Sequence, residues 1–171
     1  MRWVEENHEK ALGAFVATLT PQDRHLYEQV ILPSSWYPFE SFVRINQAID
    51  ARFGRGDLSL VPELARFAAD RNLPTLYRFF YSVSSVSFIL SMASRLWRVN
   101  YDAGELKVDS SANEATLSIV GFPEPHRVHC LSVLGWASRS AELSGAKEVV
   151  TDEPKCRARG EDACVLHLRW K

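Results

Sequence analysis

Residues 147–170, KEVVTDEPKCRARGEDACVLHLRW, decide the fold. Lys147–Thr151 and Cys164–Trp170 read as strands, and Cys156–Asp162 between them reads as a turn containing Gly160. The chain therefore ends in a hairpin. Immediately upstream, His126–Leu143 reads as a long helix. Val128, Leu131, Leu134, Trp136 and Ala137 contribute to its apolar face, and Gly145 stands where a C-terminal glycine cap belongs.

Further upstream, Ala115–Phe122 reads as a strand. Thr116, Ser118 and Val120 alternate with Leu117, Ile119 and Gly121 until Pro123 and Pro125 stop it. Arg98–Tyr101 and Glu105–Val108 flank Asp102-Ala103-Gly104, which predicts another hairpin. Before Trp97 the texture is helical. Glu5–Leu19 carries Ala11, Leu12, Phe15, Val16 and Leu19 at helical spacing, and Thr20-Pro21 caps a second helix that stops before Pro33. Ser34-Ser35 predicts the cap of a third helix through Phe53, which Gly54–Asp57 ends. Further helical pieces are expected over about 60–71, 75–81 and 85–97. The fold class is α+β, with N-terminal helices packed on a mostly antiparallel sheet and a long helix before the last two strands. One domain covers 1–171, with a helical part over 1–97 and a sheet-plus-helix part over 98–171.

Composition narrows the function classes. The chain has 171 residues, 46% hydrophobic and 24% charged, which excludes disordered and low-complexity classes. With 20 basic and 21 acidic residues there is no basic excess for nucleic acid. The opening MRWVEENHEK has no apolar signal-peptide core, and Arg78, Arg95 and several serines interrupt the apolar stretch from Leu76 to Trp97. A cytoplasmic protein without membrane insertion is expected. No Ser-His-Asp order, phosphate-cradling glycine loop or HExxH occurs, so enzymatic activity is not expected.

The three cysteines carry the chemistry. Cys156 and Cys164 flank the turn of the last hairpin, and Cys130 lies in the first turns of the preceding helix. If that helix packs over the sheet, three thiolates and the Glu153 carboxylate make a tetrahedral donor set suited to structural zinc. His129, Asp152 and His167 are alternative fourth ligands. The plainer reading makes each cysteine a small buried apolar residue. Without a metal, Arg157 and Arg159 beside the thiols point to a redox-reactive cysteine. Tyr77, Phe80, Tyr81, Phe88 and Trp97 form an aromatic cluster that reads as core or as the lining of a ligand pocket. Trp36-Tyr37-Pro38-Phe39 reads as a core anchor or an interface patch.

Cys156-Arg157-Ala158-Arg159-Gly160, followed by Cys164-Val165-Leu166-His167-Leu168, resembles the ending of 4-vinyl-reductase-type (V4R) small-molecule-binding domains. Those domains share a superfamily with haem–nitric-oxide-binding domains and the small subunits of the TRAPP vesicle-tethering complex. Leu32–Phe39 and Gly54–Leu58 make the whole chain similar to a family found in many copies in myxobacteria. The sensor domains of phenol-responsive activators are relatives of that fold, and they hold structural zinc with three cysteines and a glutamate. Cys130, Glu153, Cys156 and Cys164 match their order and spacing. The resemblance implies a pocket between the N-terminal helices and the sheet. It also implies a zinc-stabilised domain that senses a small apolar or aromatic ligand and signals to a partner protein. A ligand-free dimeric scaffold like the TRAPP subunits is the alternative, and a cysteine redox switch the third. A homodimer through the N-terminal helices is a further implication. Haem is not expected. Tyr81-Ser82-Val83-Ser84-Ser85 lacks the arginine of the haem-sensor signature, and His126 and His129 are read as solvent-facing.

Overall fold

The computed structural model describes residues 1–32, 35–72 and 85–171. These form two compact units, 1–64 and 65–171.

The N-terminal unit contains α1 (Arg2–Asn7), α2 (Glu9–Thr18), α3 (Pro21–Glu28) and α4 (Phe39–Phe53). The single helix expected over Glu5–Leu19 is two helices, broken at His8 with φ −141° and ψ 40°. The break places the His8 ring flat on Phe53, with centroids 4.4 Å apart, and within 5.1 Å of Trp3. Val4, Phe15, Leu19, Ile49 and Leu64 form the buried core of this unit. Helix α3 starts as the sequence predicts. Thr20 accepts from the Asp23 N–H at 3.2 Å, and Pro21 occupies the first turn. Helix α4 follows Pro38, with no side-chain cap, rather than following the serines, of which Ser34 lies outside the described residues.

The turn after α4 is organised from inside. The fully buried Asp50 carboxylate accepts from the backbone N–H of Leu58 at 2.8 Å and of Leu60 at 2.9 Å. Such bonds offset the cost of burying an anion. A second buried carboxylate, Asp23, accepts from Arg44 Nε at 2.8 Å and Nη2 at 2.7 Å.

The following helix, α5 (Val61–Asn72), straddles the division. The C-terminal unit then contains α6 (Val86–Asn100), β1 (Glu105–Ser110), β2 (Glu114–Val120), α7 (Arg127–Leu143), β3 (Val150–Lys155) and β4 (Cys164–Arg169). The strands form one antiparallel sheet in the order β1-β2-β4-β3. Ala115, Leu117 and Ile119 face Leu168, Leu166 and Cys164 in register. All six are buried, which fixes the core face of the sheet. The α+β architecture, with a long helix before the last two strands, is the one read from the sequence. The helical piece expected over 75–81 lies outside the described residues.

The expected hairpin around Asp102-Ala103-Gly104 is different. Residues 98–100 continue α6, and Glu105–Ser110 pairs instead with Glu114–Val120. Trp97 and Tyr101, four apart, share one helical face with ring centroids 4.3 Å apart, while Val99 is 73% exposed. Burying the Trp97 ring against Tyr101 outweighs the strand preference of Val99. Gly104, at φ +65°, lets the chain reverse; a Cβ there would meet the Val120 carbonyl oxygen at 2.9 Å.

Candidate functional site

The first turns of α7 and the β3–β4 hairpin bring the three cysteines together. His126 caps α7, its Nδ1 accepting from the Val128 N–H at 3.1 Å. That start puts Cys130 on the buried side. Across from it, Cys156 follows β3 and precedes a 3-10 turn over Arg157–Arg159, and Gly160 reverses the chain at φ +89°. Cys164 opens β4. All three thiols are buried and lie within 4.8 Å of one another, with Cys130 and Cys156 sulfurs 3.9 Å apart. Cys164 Sγ accepts from the Arg157 N–H at 3.4 Å, and the Cys156 N–H donates to Glu161 at 2.8 Å. These bonds give the hairpin a fixed shape around the sulfurs.

Glu153 stands beside this set on β3, where the register shifts between Asp152 and Lys155. Its side chain is 5% exposed. Oε2 is held by Arg127 Nε at 3.2 Å and Arg159 Nη1 at 3.3 Å. Oε1 is buried with no hydrogen-bond partner. Burial raises the Cys130 and Cys156 thiols, and the Glu153 carboxylate adds to both shifts. Arg157 and Arg159 do not activate these thiols. Arg157 donates to the Phe122 carbonyl at 2.7 Å, and Arg159 is engaged with Glu153.

The alternative fourth ligands stand elsewhere. Asp152 and His167 face each other across β3 and β4 at 3.6 Å, both partly exposed, on the sheet face opposite the core. His129 belongs to an aromatic layer with Trp97, Tyr101 and Phe122, whose ring centroids lie 5.3, 4.8 and 4.5 Å from its own. Contrary to the solvent-facing reading, His129 is 1% exposed. Burial, helped by His126, lowers it to about 4, so its imidazole is neutral at neutral pH. Burial also pushes Tyr101 up to about 12.

Of the aromatic candidates, Tyr77, Phe80 and Tyr81 lie outside the described residues. Trp97 is buried in the His129 layer, its Nε1 donating to the Ala103 carbonyl at 3.1 Å. Phe88, nine positions earlier on α6, points the opposite way and is 54% exposed. The Trp36 and Tyr37 side chains are exposed, as are Val30, Ile31 and Leu32. Among the described residues, no helix is long and apolar enough to cross a membrane.

No protein-family sequence profile matches this chain. No curated protein matches it either. Solved structures do. An H-NOX protein from S. oneidensis, in its Fe(II)NO ligation state, superposes with a TM-score of 0.71 at 12% identity, over 98% of this chain and 92% of that one. A mutant H-NOX protein from K. algicida, in its Fe(II) unliganded state, gives 0.67 at 12% identity, over 99% and 91%. The phenol-responsive sensory domain of the transcription activator PoxR, with phenol, gives 0.56 at 15% identity, over 96% and 90%. The chain therefore has the fold of these H-NOX proteins and of the PoxR domain.

These structures correct two expectations. The V4R and TRAPP assignment rested on a short cysteine-hairpin ending, whereas the H-NOX likeness runs through the helical part as well. The choice of zinc, with haem set aside, is corrected too: the fold points to haem domains rather than to zinc. The solvent-facing reading of His129, one of the grounds for setting haem aside, does not hold, because the side chain is buried.

Proposed function

We propose that this chain is a small-molecule-sensing domain that passes its ligand state to a partner protein. The observation that supports this best is a fold shared over nearly the whole chain with H-NOX proteins in iron and nitric-oxide ligation states and with a phenol-responsive sensory domain. Its ligand is either haem or a small apolar or aromatic molecule, and Phe88, exposed on α6, is the side chain proposed to meet the second kind. Homodimerisation belongs to the same reading, and sedimentation checks it.

Haem needs an axial donor. His129 has the right chemistry, a buried neutral imidazole. Its ring contacts Trp97, Tyr101 and Phe122, so coordination requires one of those rings to turn aside. Titration of the purified chain with haem, and separately with phenols, tests the proposal. A Soret band lost in His129→Ala supports haem. Saturable phenol binding weakened in Phe88→Ala supports the aromatic ligand. Saturable binding of neither class overturns the sensor reading.

Cys130, Cys156 and Cys164, with Glu153, are proposed as the seat of a thiophilic metal ion that fastens the β3–β4 hairpin to α7. What supports this is the clustering of three buried thiols, with a buried carboxylate three residues before Cys156. Elemental analysis after chelator-free purification tests it.

A further inference from the structure

We infer that Arg127 and Arg159 are positioning residues that hold Glu153 as the fourth ligand of the thiol site. The inference rests on the metal-seat reading above and deepens it.

Glu153 is a buried carboxylate with divided oxygens. Two guanidinium groups converge on Oε2, from Arg127 at the start of α7 and from Arg159 in the 3-10 turn. Oε1 is enclosed and has no hydrogen-bond partner. Buried carboxylate oxygens are normally satisfied, and leaving one unmade is costly. With Oε2 occupied on the guanidinium side, Oε1 is the oxygen left for the thiol cluster, which Cys156 joins three residues further along the chain. A cation at the thiols would satisfy it.

Charge supports the same arrangement. Three thiolates and a carboxylate around a divalent ion leave two negative charges in a closed site. Arg127 and Arg159 supply two positive charges on the far oxygen of the same carboxylate. The two guanidinium groups offset that excess, which a buried site favours. Ligating side chains are commonly oriented by partners of this kind. Each arginine comes from a different element, so ligand geometry is coupled to the docking of α7 on the hairpin.

The experiment uses the full chain and Co(II) as the probe. Affinity is measured by competition with a chromophoric chelator, and the ligand set is read from thiolate charge-transfer and d–d absorption. Arg127 and Arg159 side chains are 42% and 36% exposed, so Arg127→Met and Arg159→Met are expected to fold. Each should lose about 10–100-fold in Co(II) affinity with the charge-transfer bands retained. Arg127→Lys should recover part of the loss. In Glu153→Gln the d–d bands should shift, and adding Arg127→Met to that variant should change affinity less than about twofold. Wild-type affinity in both arginine variants overturns the inference. So does an equal loss from Arg127→Met in the Glu153→Gln background, which would mean general electrostatics. A wild-type chain that takes up no Co(II) overturns the metal-seat reading itself, and the inference with it.

Discussion

The sulfur of Cys156 lies 3.9 Å from that of Cys130, across the junction between the last hairpin and α7. Cys156 is fully buried and Cys130 is 1% exposed, so neither thiol can be exchanged for a hydroxyl without burying an ill-matched polar group. Cys156→Ser should cost at least about 2 kcal/mol and lower the midpoint of thermal unfolding by several degrees. An unchanged midpoint would rule out a structural role for the cluster.

Metal removal separates packing from coordination. Dialysis against a strong chelator should lower the wild-type midpoint towards that of Cys156→Ser and leave Cys156→Ser where it is. If the chelator moves neither protein, the cysteines act by packing alone.

Asp50 ties the turn after α4 through Leu58 and Leu60. Asp50→Ala leaves both N–H groups without their acceptor and should destabilise the N-terminal unit by about 2–3 kcal/mol. Hydrogen exchange at the Leu58 and Leu60 amides should accelerate first. Unaltered protection at both amides would contradict this account.

The Asp23–Arg44 pair makes an acid-sensitive contact. The two Arg44 bonds hold the Asp23 carboxyl far below its ordinary value, against the opposing effect of burial. A group whose folded value is depressed stabilises the fold above its unfolded value, near 3.9, and loses that contribution as pH falls below it. Asp23→Asn should therefore be less stable than wild type at pH 7, with the gap narrowing below about pH 4. Chemical denaturation at pH 7 and pH 3 checks the convergence.

Phe88 and Trp97 occupy opposite sides of α6 and should behave differently. Trp97 is 3% exposed and packs against Tyr101, Phe122 and His129. Trp97→Ala should cost about 3–5 kcal/mol. Phe88 is more than half exposed, so Phe88→Ala should cost under about 1 kcal/mol. Urea titration of both variants measures the contrast, and equal costs would refute the assignment of Trp97 to the core and Phe88 to the surface.

The chain's order of residues determined by itself the α+β class, the long helix before the last hairpin, and the turn glycines. These follow from local periodicity and backbone sterics, which neighbouring residues carry between them. Thr20-Pro21 starts α3 as it reads, and Gly160 reverses the hairpin as it reads. The clustering of Cys130 with Cys156 and Cys164 was legible in part, because the two ends of a hairpin turn must approach each other. Tertiary structure alone decided whether the helix cysteine joined them. It also kept residues 98–100 helical, since burying the Trp97 ring against Tyr101 gains more than Val99 gains in a strand. It buried His129, giving a neutral imidazole where periodicity implied a solvated one. It placed Arg127 and Arg159 on a single oxygen of Glu153. Each of these depends on contacts between residues distant in the chain, and those form only when helix and sheet pack.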